Sequence, residues 1–160
     1  MINNSILVIS GPNLNLLGNR EEKYYGNISL DEIHEKIKKI GNSNNFTIEC
    51  KQSNSESEII EWIQNAKNNF KAIVINAAGY THTSVSIRDA LKLFDELVIE
   101  IHMSNIHSRD DFRHKSMISG VSSGIIIGFG DQSYYLAVNA AINKISGVKI
   151  MAKNDNKNFS

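Results

Sequence analysis

Residues 71–104 read KAIVINAAGYTHTSVSIRDALKLFDELVIEIHMS. The first apolar run, Lys71–Ile75, stops at Asn76, and after AAGYTHTS the residues Ile87, Ala90, Leu91 and Phe94 recur at helical intervals. A second apolar run, Glu96–Ser104, follows. Two short, almost continuous apolar runs on either side of an amphipathic helix make a βαβ unit, and strands of that kind lie in a parallel sheet covered on both faces.

The same alternation extends outward in both directions. Ile6–Ser10 is a first strand, and Ser29 with Glu32 has capping-box spacing ahead of Leu30, Ile33, Ile37 and Ile40, a helix that Gly41 is expected to stop. Phe46–Lys51 is a second strand. Ser55 and Glu58 repeat the capping spacing before Ile59, Ile60, Ile63 and Ala66, with Trp62 nearby. Beyond strand four, Gly124–Gly128 is a fifth strand, and Val138, Ala141, Ile142 and Ile145 give a last helix. Five strands alternating with helices, joined by right-handed crossovers, predict a flavodoxin-like α/β fold with sheet order 2-1-3-4-5. The expected division is a domain over residues 1–147 and a polar tail over 148–160.

Composition narrows the function. The 160 residues carry 17 basic and 17 acidic side chains, a balance that argues against nucleic acid, and no basic amphipathic run argues for a membrane surface. Cys50 is the lone cysteine, which excludes an intramolecular disulfide and a multi-cysteine metal site. MINNSILVIS has neither the basic start nor the apolar length of an export signal, so the expected location is the cytoplasm.

In open parallel sheets ligands bind at the carboxyl ends of the strands, near the point where strand order reverses. Three polar segments fall at that edge: 11–26 after strand one, 76–84 after strand three and 102–116 after strand four. The first, GPNLNLLGNREEKYYG, is far longer than the roughly two to six residues of an ordinary connection in such folds. Its leucines and tyrosines are apolar enough to pack, so it reads as an active-site lid.

Alternation along strand four puts Glu100 and His102 on one face, where the carboxylate favours an imidazolium able to donate a proton. The competing reading is a structural histidine, but a buried carboxylate is costly without a partner and favours function. Tyr25 serves as a base only if cations such as Arg20 or Arg113 stabilise its phenolate, since its ordinary pKa is about 10. Tyr24 is an equal candidate on spacing alone. Asn76, Thr81, His82, Thr83 and Ser84 stand before a helix N-terminus, where oxyanions bind, although Thr83 or Ser84 also reads as a simple N-cap. Ser104, Asn105, Arg109 and Arg113 can hold a carboxylate or hydroxyls. His82, His102, His107 and His114 lack the i, i+4 spacing of a zinc motif, and GPNLNLLG is no phosphate loop, so neither metal nor cofactor is expected.

Taken together, GPNLNLLGNRE with YYG, QSNSE, INAAGYTHTSVSIRDAL, IEIHMSNIHSRDDFRHKS and GFGDQSYYLA resemble the type II 3-dehydroquinate dehydratases from about Ile6 to Ser146. The resemblance implies a flavodoxin-like lyase that converts 3-dehydroquinate to 3-dehydroshikimate in the shikimate pathway by anti elimination through an enolate. It implies no metal, organic cofactor or Schiff base. Tyr25, before Gly26, matches the family's base, and Arg20 matches its activator. His102 matches the general acid, with Glu100 and Asn76 orienting it, and Asn13 helps to hold a water on the enolate oxygen. Asn76, His82, Met103, Ser104 and Arg113 match substrate-binding positions, and Asp89 matches a residue supplied across a subunit contact in a homododecamer of four trimers. Three departures stand out. Glu22 replaces a usual proline, and Ser57 and Ala78 replace usual glycines, with altered loop dihedrals expected. A non-catalytic flavodoxin-like module holding flavin or a small anion is the alternative, and a phospho-acceptor switch ranks last because Asn76 stands where an aspartate would be needed.

Overall fold

The computed structural model describes residues 4–19 and 27–147. The strands are β1 (Ser5–Ser10), β2 (Thr47–Gln52), β3 (Ala72–Asn76), β4 (Leu97–His102) and β5 (Gly124–Ile127), all parallel, in the order β2-β1-β3-β4-β5. The helices are α1 (Leu30–Ser43), α2 (Glu56–Ala66), α3 (Val85–Lys92) and α4 (Gln132–Ile145). This is the predicted flavodoxin-like arrangement.

The period of two along the strands divides the core. Ile6, Val8, Val74, Ile99 and Ile101 face α1 and α4, while Leu7, Ile9, Ile73, Ile75 and Val98 face α2 and α3. Most of these side chains are wholly buried. Each fully buried aliphatic side chain contributes about 1.5–3 kcal/mol relative to exposure, so the two apolar layers dominate the stability of the sheet.

Helix starts follow the sequence signals. The Ser29 hydroxyl accepts from the Glu32 amide at 3.2 Å, and the Glu32 carboxylate accepts from the Ser29 amide at 2.8 Å, closing the capping box. At α2 only half of the device forms. Ser55 accepts from the Glu58 amide at 3.4 Å, but the Glu58 carboxylate is taken by the Ser53 hydroxyl.

Gly41 does not stop α1, which runs on to Ser43. The residue is a packing glycine. A Cβ there would lie 2.4 Å from Ile48 Cγ1 and 2.9 Å from the Phe46 carbonyl, so only glycine lets the helix end lie against β2. Strand four is shorter than the expected 96–104. Its pairing with β5 ends at His102 opposite Ile127, and Gly128, at φ 93°, turns its amide back to the His102 carbonyl. Met103 and Ser104 are thereby released into the loop. Phe94 falls beyond α3, which ends at Lys92, yet it is buried through a tight turn in which its amide donates to the Leu91 carbonyl.

Candidate active site

A cleft of about 170 Å³ opens at the carboxyl ends of β1, β3 and β4, the edge where strand order reverses. Pro12, Asn13, Leu14 and Leu17 line it after β1; Asn76, Ala78, Gly79 and His82 line it at and after β3. His102, Met103, Ser104, Ile106, Arg109 and Arg113 complete it from β4 onward. The described parts of the three polar segments therefore converge as expected. Sheet register explains the meeting of Ser10 and Asn76, which are paired neighbours at the ends of β1 and β3.

His102 and Glu100 form the most constrained part. Glu100 is completely buried and His102 is 5 % exposed, with His102 Nε2 2.7 Å from Glu100 Oε1. An ionised carboxylate only accepts, so Nε2 carries the shared proton and Nδ1 is the nitrogen left for other chemistry. Burial alone would push the Glu100 carboxyl up, but hydrogen bonds from His102, Ser119 and Ser116 outweigh it and hold the group below its ordinary value. Asn76, by contrast, is not bonded to His102. Its amide donates to the Tyr134 hydroxyl at 3.4 Å, and its carbonyl accepts from the Ala78 amide at 3.2 Å.

His82 Nδ1 lies 2.8 Å from the Lys115 carbonyl, so that nitrogen is the donor and Nε2 keeps a lone pair. Burial, supported by the charges of His102 and Arg113 and opposed by the Lys115 carbonyl, lowers the His82 pKa. Its ring stacks near His102, centroids 6.3 Å apart. Arg113 brings a buried Nε that has no hydrogen-bond partner among the described residues. Arg113 also lines the cleft, where a guanidinium suits a carboxylate. Arg109 Nη1 approaches the Ser104 hydroxyl at 3.4 Å. Asn13 sits at φ 68°, and its amide donates to Asn54 Oδ1 at 2.9 Å, fixing the first turn of the loop against the segment after β2.

Other candidates take structural parts. Ser84 caps α3 by accepting from the Ile87 amide at 2.8 Å, so the simple capping reading holds there. Asn105 caps the turn Ile106–Ser108 through the His107 amide. Neither Thr81 nor Thr83 lines the cleft. Asp89 is exposed on α3 beside Arg88 and does not line its own chain's cleft. Ser57 lies in the first turn of α2, where no glycine dihedral is needed, whereas Ala78 does adopt φ 50°, a left-handed conformation costly for a residue with a Cβ. Arg20, Glu22, Tyr24 and Tyr25 lie outside the described residues, as does the 148–160 tail. Gly18 and Asn27, on either side of the first of these segments, lie close, a Cβ on Gly18 falling 3.5 Å from the Asn27 carbonyl.

Three participants were invisible to the sequence reading: Tyr134, fully buried and bonded to Ser10 at 2.9 Å, and the serines 116 and 119 on Glu100. Ser116 and Tyr134 fall within the recognised motifs, but no spacing rule points from them to their partners. Among the described residues no group of three or more His, Cys, Asp or Glu is arranged to hold a metal, and no helix is long and apolar enough to cross a membrane.

An open parallel sheet whose reversal-edge cleft is lined by His102, two arginines and amide groups, with a buried glutamate bonded to that histidine, has the architecture of a flavodoxin-like enzyme. The profile of the family described as Dehydroquinase class II matches residues 4–142, and the chain belongs to that family. A 3-dehydroquinate dehydratase of Francisella philomiragia is 49% identical over 141 residues, 88% of this chain and 96% of the relative. One from Campylobacter jejuni is 46% identical over 144 residues, 90% and 91% of the two chains. Among solved structures, the type II dehydroquinase of Butyrivibrio crossotus superposes with a TM-score of 0.85 at 43% identity, covering 87% of this chain and 97% of that one. That of Propionibacterium acnes gives 0.84 at 35%, covering 89% and 98%.

Proposed function

We propose that this chain is a lyase that dehydrates 3-dehydroquinate to 3-dehydroshikimate, with His102 as the general acid. The observation that carries the assignment is the buried Glu100–His102 pair, 2.7 Å apart, whose histidine lines the cleft. A carboxylate buried against an imidazole is costly to desolvate, which favours a catalytic role over that of a non-catalytic binding module.

In this reading Tyr25, as a phenolate activated by Arg20, removes the proton alpha to the ketone. The electron pair moves onto the carbonyl oxygen to give an enolate, which a water held with the help of Asn13 stabilises electrostatically. The enolate then collapses, the carbon–oxygen bond to the departing hydroxyl breaks, and His102 Nδ1 delivers the proton that lets it leave as water. Glu100 keeps the proton on Nε2 and balances the imidazolium before the transfer. Asn76, His82, Met103, Ser104 and Arg113 hold the substrate's carboxylate and hydroxyls, Arg113 through its guanidinium and His82 through its Nε2 lone pair. Asp89, exposed and outside its own cleft, serves a neighbouring subunit within a homododecamer, and the enzyme works in the cytoplasm.

The test is ultraviolet absorbance on mixing purified protein with 3-dehydroquinate and a chelator, since the conjugated enone creates a new band. The wild type should produce it, and activity should survive borohydride in the presence of substrate. Tyr25→Phe and His102→Ala should each lower kcat by about a hundredfold or more, the usual scale for removing a general base or acid. Near-normal turnover in either variant rejects the role given to that residue.

A further inference from the structure

Glu100 accepts three hydrogen bonds, and only one comes from histidine. The Ser116 hydroxyl lies 2.8 Å from Oε1, the oxygen that also faces His102, and the Ser119 hydroxyl lies 2.5 Å from Oε2. The direction of the Ser116 bond is dictated by its surroundings. Its oxygen already accepts from the amides of Ile118 at 3.2 Å and Ser119 at 3.1 Å, so its proton has the carboxylate as its acceptor. The segment that carries both serines is pinned independently, by Ile118, which is wholly buried, and by the Met117 amide on the Thr81 carbonyl at 2.8 Å. Neither serine lines the cleft.

We propose that Ser116 and Ser119 are positioning residues that hold Glu100 as an anion with both oxygens engaged, so that the remaining proton of the pair stays on His102. The inference rests on the general-acid reading of His102 and adds two residues to it. Without the hydroxyls, a fully buried carboxylate keeps one donor, His102 Nε2, and recovers its cheapest state by taking that proton. The imidazole is then neutral, and Nδ1 becomes a poor acid. Of the other charged or titratable groups lining the cleft near the pair, His82, stacked beside His102, and Arg113 carry no negative charge, and neither donates to Glu100. The serines are therefore the means by which the fold keeps the negative charge on the glutamate.

The test compares Ser116→Ala, Ser119→Ala and the double variant in the full-length enzyme, with the corresponding Thr variants and Glu100→Gln as controls. Two readouts are needed. Steady-state turnover of 3-dehydroquinate at neutral pH should show kcat lowered about tenfold per alanine, the scale of one hydrogen bond to a charged group, with KM held because neither side chain reaches the cleft. Urea unfolding from pH 7 to 3 should show a deficit in midpoint that is largest at neutral pH and closes below the unfolded carboxyl pKa of about 4.3, where Glu100 no longer needs to be an anion. Ser→Thr should restore both, and in the Glu100→Gln background the alanines should add little.

A midpoint deficit of constant size at every pH, or a rise in KM with kcat retained, overturns the proposal and leaves the serines as loop supports. If the deficit closes with acid but kcat is unchanged, the charge-holding role stands and the failure falls on His102 as the acid.

Discussion

Two buried histidines, 34 and 102, show how one residue type acquires opposite meanings from its partners. His102 has a carboxylate at 2.7 Å, whereas His34, on α1 and 9% exposed, has a buried Nε2 with no hydrogen-bond partner. Burial first, with a smaller contribution from Lys38, lowers the His34 pKa. The folded state thus disfavours the proton that the unfolded chain accepts near pH 6.5, so the stability associated with a neutral His34 is complete above that value and is lost as pH falls through it. His34→Leu should remove both penalties, that of the unpaired nitrogen and that of its protonation. Unfolding midpoints should correspond to a gain of about 1 kcal/mol at pH 8 that grows between pH 6.5 and 5, and a variant less stable at pH 5 would contradict it. The same contrast shows what the sequence discloses at this scale. Glu100 and His102 could be paired from the chain because a strand puts alternate residues on one face. Ser116, Ser119 and Tyr134 meet their partners across 16, 19 and 124 positions, and no local periodicity encodes such contacts.

At the scale of elements, the periodic signals were legible almost throughout, since strand alternation, helical spacing and capping boxes are properties of neighbours in sequence. Gly41 is where that logic fails. A glycine at the end of a helical pattern ordinarily marks a stop, but its role here is set by Ile48 on β2, which no local rule can see. The consequence reverses the ordinary expectation for a helical glycine. Gly41→Ala gains about 1 kcal/mol of helix propensity, yet the new Cβ meets Ile48 Cγ1 at 2.4 Å and the Phe46 carbonyl at 2.9 Å, and the second of these is backbone. Overpacking of this kind costs about 1–3 kcal/mol. The variant should therefore unfold at lower urea with an unchanged slope, and a raised midpoint would show that α1 can move away from β2 without loss. Ser84 illustrates a milder ambiguity, since the same hydroxyl before a helix reads as oxyanion contact or as cap, and only its distance of 2.8 Å to the Ile87 amide decides for the cap.

The molecule as a whole presents apolar surface that its own core does not use. Val85, the first residue of α3, and Leu93, which follows its end, are 52% and 66% exposed, and Ile125 on the edge strand β5, with Phe129 and Leu136 after it, is similarly open. Asp89 lies on α3 between the first two, exposed and outside its own cleft. In the proposed reading, this exposed acidic residue, which the family resemblance assigns to substrate, serves another subunit's cleft. Complementation tests this directly. Asp89→Ala should lower kcat/KM, and His102→Ala should lower turnover by about a hundredfold or more, each as a uniform assembly. In assemblies co-expressed from both genes, a cleft that retains His102 can receive Asp89 from a neighbour carrying the His102 change. With random mixing at a heterologous contact, about a quarter of the clefts combine both native residues, so specific activity should rise to about a quarter of the wild-type value. If Asp89 acts within its own chain, the mixture can do no better than the mean of the two parents, and the intersubunit role is rejected.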